Sequence, residues 1–307
     1  MSVTTELLIA GFLAAAVRVA TPLLLAATGE LIAERSGVIN LGIEGAMLAG
    51  ALAAAIGSAA GGPWAGLAAG LAAGVALAVI FALIAIGAGA DQIIAGTAIT
   101  LGAVGLTGAA YHQVFGAAGA GLAIPTFTPI AIPGLARVPF VGAAFFMQPV
   151  TTYAALVAVP VTWWWLYRTR DGLALRATGE GAVAARAMGV RVRAVRTGAT
   201  IVAGAFAGVA GASLVLAQVG TFTERMTAGR GFVAIAIVVL GAWRPAGVLL
   251  ASLLFGGAMA LQYVFQAAGL PVPYQLFLML PYVLTLLALA GAARRVHAPA
   301  DLGRALE

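Results

Sequence analysis

The chain has 307 residues, of which 63% are hydrophobic and only 8% charged, against about 25% charged in soluble domains. So few charges cannot cover a water-facing surface, which excludes an ordinary soluble enzyme or binding domain and makes lipid the main solvent. All 16 basic residues are arginine, the net charge is +6 and cysteine is absent, so the basic balance reads as a topology signal without the aromatic platforms of a nucleic-acid binder, and disulfides, thiol catalysis and cysteine–metal sites are excluded.

A membrane crossing needs about 20 mostly apolar residues to traverse about 30 Å of hydrocarbon. That length predicts eight or nine spans in an all-α polytopic bundle, a single transmembrane domain over 1–307. The first, 7–28, reads as a retained membrane helix, because no basic residue precedes its apolar run and Arg18 interrupts it. A loop at 29–37 carrying Glu30, Glu34 and Arg35 is expected next, then spans at 38–59, 64–89 and 92–115. A Pro-rich loop, 116–148, precedes a span at 149–167, and the arginine-rich stretch 168–196 follows it. Further spans are expected at 197–218, 229–243, 246–266 and 274–292, the 229–243 segment being short enough for a broken or re-entrant helix.

Glycine, at 41 residues, recurs one helical turn apart in Gly66-Gly70-Gly74 and Gly204-Gly208. Small residues at that spacing let helix backbones approach closely in lipid. Arginine bias sets the orientation. Stretch 168–196 holds seven arginines against Asp171 and Glu180, so it is expected to be cytoplasmic. Arg294 and Arg295 return to the same side four crossings later, which leaves 116–148 outside and, in a nine-helix count, the N-terminus outside as well.

Within 168–196 the punctuation predicts two short helices, with Glu180 at a helix start and Gly189 at a helix end. The second would gather Val183, Ala184, Ala187 and Met188 on a small apolar face, with Arg186 on another. An apolar knob among arginines suits docking to a cytosolic partner, and equally a loop resting on anionic membrane lipid.

Polar groups at membrane depth are costly and tend to line cavities or pair. Asn40 and Glu44, four residues apart at a glycine-interrupted helix start, are expected on one face. With Gln92 and Thr97 at the start of the fourth span, they are the candidates for lining a substrate pathway. Gln218, Glu224, Arg225 and Arg230 read as a solvated external turn, and Gln262, Tyr263 and Gln266 as a further polar group. No Walker loop, nucleophile elbow, zinc motif or dinucleotide fingerprint occurs, and His112 and His297 lack partners at ligand spacing. Catalytic residues, bound cofactors and metals are therefore not expected on this chain.

Three segments carry a family resemblance: GELIAERSGVINLGIEGAMLAGA (29–51), GLALRATGEGAVAARAMGVRV (172–192) and GRGFVAIAIVVLGAWRPAGVLLASLLFGG (229–257). In collinear order they resemble permease subunits of ABC importers for nucleosides, within the wider branched-chain amino acid and simple sugar permease family. The resemblance implies an ABC importer permease fold in the bacterial plasma membrane and import of a solute, expected to be a nucleoside, with sugars or branched-chain amino acids as the alternative. It implies that ATP is hydrolysed on a cytosolic ATP-binding subunit, against which coupling helices at 173–188 dock through Glu180, Arg186, Ala187 and Met188. It further implies a longer homologous permease as heterodimer partner and an extracellular solute-binding lipoprotein. From other classes, an ion-coupled secondary transporter would need titratable residues deep in the spans, where this chain offers mainly Arg18 and Glu44. A non-transporting scaffold would tolerate Asn40→Leu except in stability.

Overall fold

A computed structural model describes residues 3–115, 123–138, 141–267 and 297–304, with isolated positions at 279, 283, 286 and 290. The span expected at 274–292 and the arginines at 294 and 295 lie outside the described residues. Helix α1 (Val3–Arg35) is continuous where a loop at 29–37 was expected. Nothing in Glu30–Arg35 breaks a helix; the break comes at Ser36-Gly37, where Gly37 takes φ +92°. At 33 residues, α1 is about 50 Å long and so overshoots the roughly 30 Å hydrocarbon layer.

Residues 37–42 are non-helical, and α2 runs from Ile43 to Phe81. It is broken at Gly61 and Gly62, the latter at φ +82°, just before Pro63. The two arms, 43–60 and 63–81, fold back on each other, because a methyl placed on Gly70 or Gly66 would meet the carbonyls of Gly50 and Ala54. The break between 59 and 64 was predicted. A π-helical turn (Ala82–Gly87) leads to α3 (Gln92–Phe115).

The segment expected as an external loop contains built structure. Strands β1 (Ile130–Ala131) and β2 (Met147–Gln148) pair antiparallel, with a 3-10 turn and α4 (Val141–Phe145) between them. Phe127 N–H donates to the Leu216 carbonyl and Ser58 Oγ to that of Pro125, so this cap is tied across the bundle end. Helices α5 (Val150–Arg168), α6 (Arg170–Glu180) and α7 (Ala182–Ala187) follow. The two short helices were predicted, but Glu180 ends α6 where a helix start was expected. Gly189, at φ +85°, terminates the second as predicted. Helix α8 (Val192–Leu214) continues into a π turn (Val215–Val219), and α9 (Arg230–Leu240) and α10 (Pro245–Ala267) complete the described helices.

Among the described residues, five stretches are long and apolar enough to cross a membrane: Ile9–Arg35, Ile43–Gly87, Gln92–Gln113, Val192–Val219 and Pro245–Gln262. Helix α9 is apolar but only 11 residues long. The structure is thus a mostly helical, integral multi-pass membrane bundle.

Its centre is the seam between α8 and the two arms of α2, formed by the predicted glycines together with Gly211, which was not among them. A methyl on Gly208 would strike the Gly70 carbonyl oxygen, one on Gly74 the Gly204 carbonyl, and one on Gly211 the Met47 carbonyl. With only hydrogen at those positions, three helical backbones lie in direct contact, which is how helices associate where lipid removes the hydrophobic drive. Helix α1 packs against the other side through Leu23, Leu31, Ala207 and Phe255 of the largest core cluster.

Candidate functional site: where the three signature segments converge

The segments 29–51, 172–192 and 229–257 are far apart in sequence and meet at the arginine-rich end of the bundle. Glu44, in the first turn of α2, is buried, and both its carboxylate oxygens are used. Oε1 accepts from Thr227 Oγ1 at 2.6 Å and Gly229 N–H at 2.9 Å; Oε2 accepts from Gly231 N–H at 2.6 Å. The carboxylate therefore sits on the N-terminus of α9, where unpaired backbone N–H groups and the helix dipole favour negative charge. Gly229 takes φ +81°, and a methyl on Gly231 would collide with Glu44, so the Gly-Arg-Gly spacing is what this contact requires.

The other end of α9 is also held. Trp243, in the turn before α10 at φ +51°, donates its indole N–H to Glu34 Oε2 at 2.5 Å, and its carbonyl accepts from Arg35 Nε at 3.0 Å. Arg35 also pairs with Glu180 at 3.6 Å and reaches Tyr167 at 3.4 Å. Gly179 lies so close to the Arg35 carbonyl that no side chain fits there. The end of α1 thus grips α6 on one side and the α9–α10 turn on the other.

Residues 297–304 add a strap across this face. Asp301 N–H donates to the Gly179 carbonyl at 2.9 Å, and Asp301 Oδ2 accepts from Ala182 N–H at 2.6 Å, capping α7. Gly303 N–H donates to the Gly37 carbonyl, and the Arg304 carbonyl accepts from fully buried Arg196 at 2.8 Å. Arg196 Nε donates to the Ser36 carbonyl at 3.1 Å. The strap, the α6–α7 pair, the 37–42 loop and the start of α8 form one hydrogen-bonded unit.

The residues singled out for the pathway fall unevenly around this unit. Asn40 precedes α2 and does not share a helical face with Glu44; its Oδ1 accepts from Gly42 N–H at 3.0 Å, and its own N–H donates to Glu30 at 3.0 Å. Gln92 is buried, accepting from Ile39 N–H at 2.9 Å and donating to the Arg304 carbonyl at 3.4 Å. Thr97 is exposed and bonds its own helix at the Ile93 carbonyl. Asn40 and Gln92 are joined through the 37–42 loop, Glu44 turns to α9, and Thr97 stands apart. Of the docking candidates, Ala187 and Met188 are exposed beside Arg186 and α7 buries Ala182 and Ala185, leaving Val183 and Met188, at 80% and 84% exposure, as an apolar knob. Glu180 lies back against Arg35. Sequence reasoning missed Glu30, Glu34, Arg196, Trp243 and Asp301. For Glu30 and Glu34 the missing break before Ser36 was the available signal; for Asp301 there was none.

Comparison with known proteins gives the family. The family described as "Branched-chain amino acid transport system / permease component" matches residues 12–289. The chain belongs to this family. It is a transport subunit and an ABC transporter permease of the plasma membrane. Similar proteins include the Haloferax volcanii "Putative glucose ABC transporter permease protein TsgC13", 44% identical over 266 residues (85% of this chain, 79% of the relative). The guanosine ABC transporter permease protein NupQ of Bacillus subtilis is 35% identical over 290 residues, covering 91% of each chain. The nucleoside ABC transporter permease protein NupC of Lactococcus lactis is 32% identical over 289 residues, again 91% of each. No solved structure matches.

Proposed function

We propose that this permease is the membrane-spanning subunit of an ATP-driven importer for nucleosides, worked from the α6–α7 surface. The carrying observation is that α6 and α7, the 29–51 segment and α9 are bonded into one unit, so a force on the exposed Val183–Met188 knob reaches both ends of α9. A partner ATPase binds and hydrolyses ATP and docks on the cytoplasmic stretch 168–196 through Arg186, Ala187 and Met188, with Glu180 steadying α6 from Arg35. In this reading the chain has eight or nine spans, counting the arms of α2 separately and adding α5, short α9 and 274–292. A second, homologous permease supplies the other half of the pathway and an external binding lipoprotein delivers solute. Asn40, Glu44 and Gln92 lie where the moving unit meets the spans, and Thr97 faces lipid or the second permease. The guanosine and nucleoside relatives match over 91% of the chain, which favours nucleosides. The more identical relative named for glucose supports a hexose as the second reading.

Two measurements test this. Cells lacking the chain should lose uptake of labelled guanosine that excess ribose, glucose and leucine do not inhibit; loss of glucose uptake with intact guanosine uptake would move the substrate to the sugar branch. Met188→Glu should insert normally and abolish ATP-driven uptake, and retained uptake would refute the docking assignment.

A further inference from the structure

Beyond the Glu44 contact at the N-terminal end of α9, a cavity of about 430 Å³ opens between α1, the end of α8 and the turn before α9, a volume within the range of small-molecule sites. Arg18, Gln218, Thr223 and Arg230 line it, with Leu214 and Met226 as apolar walls. Arg18 lies about 25 Å along α1 from Arg35, within the apolar membrane-crossing stretch Ile9–Arg35. A guanidinium at that depth is expensive unless it faces a cavity and finds acceptors. Both arginines fall short of that. The Nε of Arg18 and the Nε of Arg230 are buried with no hydrogen-bond partner among the described residues. One terminal nitrogen of Arg230 is committed to the Met226 and Thr227 carbonyls, and the Gln218 amide nitrogen to the Arg18 carbonyl at 2.7 Å. No carboxylate is among the described lining residues. Glu224, the nearest acid in sequence, turns away to His112 at 2.8 Å.

We propose that this cavity is a solute-contact site in which Arg18 and Arg230 hold the acceptor edge of a nucleobase, the adjacent oxo group and ring nitrogen of a 6-oxopurine. The proposal rests on the nucleoside reading and deepens it. A guanidinium presents a rigid fork of donors that matches two neighbouring acceptors and also stacks on flat rings, so the site needs no aromatic box. Hexose recognition calls for acceptors to take hydroxyl protons, and this lining is rich in donors. Adenosine, with an amino group in place of the oxo group, places a donor against a donor. The site therefore selects guanosine and inosine over adenosine.

The test is uptake of labelled guanosine and adenosine by cells carrying the complete transporter with Arg18→Gln, Arg230→Gln or Arg18→Lys, at matched membrane levels of the chain. Wild type should prefer guanosine at least tenfold in kcat/KM. Either Gln variant should raise the guanosine KM tenfold or more and erase the preference. Arg18→Lys keeps the charge without the fork and inserts as wild type, so it separates recognition from folding; a KM rise of threefold or more is expected. Wild-type guanosine KM in Arg18→Lys and in whichever Gln variant inserts would overturn the site and leave the nucleoside reading standing. Wild-type cells importing no nucleoside would overturn the nucleoside reading itself, and the base-edge assignment with it.

Discussion

The glycine seam and the arginine-rich hub solve the same problem, holding helices together in a bundle, in opposite ways. In the seam, α8 and the arms of α2 touch backbone to backbone through Gly70, Gly74, Gly208 and Gly211, with small side chains such as Ala78 and Ala212 closing the gaps. In the hub, nearly every link is a side chain reaching another element: Glu44 to α9, Trp243 to Glu34, Arg196 and Asp301 to the strap. Backbone contact is stiff and leaves no alternative arrangement. A hydrogen-bonded hub is made of discrete links that can exchange partners, and a part that must move between outward and inward states needs that property. Under the proposed transport cycle, the seam would be the frame and the hub the joint.

Substitutions should separate the two. Gly208→Val is expected to have the largest effect, because two methyls would occupy the space of the Gly70 backbone; a loss of about 3 kcal/mol or more follows from overpacking that cannot relax, measured as failure to accumulate in the membrane fraction. Glu44→Ala leaves three donors at the α9 N-terminus without their acceptor and should cost about 2–3 kcal/mol. It should lower the denaturant midpoint of the detergent-solubilised chain while leaving insertion intact. Trp243→Phe keeps the packing and removes one bond to Glu34, for about 1–2 kcal/mol, with uptake falling more than stability because the α9–α10 turn is freed from α1. Asp301→Ala uncaps α7 at about 1 kcal/mol and should be nearly silent in unfolding while reducing uptake severalfold. If Asp301→Ala lowered the unfolding midpoint as much as Gly208→Val, the hub would be part of the frame and the contrast would fail.

The seam was legible in the sequence because its signal is local: four-residue glycine spacing says which face of a helix is bare, whatever it meets. The breaks at Gly61-Gly62 and Gly189 were legible for the same reason, since left-handed backbone favours glycine. The hub was not. Glu44 bonds Thr227, 183 positions away, and Glu34 bonds Trp243, 209 positions away. One sequence carries no record of such pairs, so Glu44 could be seen to need a partner at membrane depth without any indication that α9 supplies it. The four-residue spacing of Asn40 and Glu44 reads as one helical face, but residues 37–42 stay non-helical because Asn40 and Ile39 spend their N–H groups on Glu30 and Gln92. Thr97, chosen for polarity beside Gln92, satisfies its hydroxyl on its own helix and needs no cavity.

The strap has a consequence for biosynthesis. The seam can assemble as soon as α8 has emerged from the ribosome, because all its glycines lie before residue 215. The α6–α7 surface cannot be completed then, since the cap of α7 and the bond that settles Arg196 both come from residues 301–304. A chain interrupted before Asp301 would thus own a membrane bundle and an α6–α7 surface without its cap.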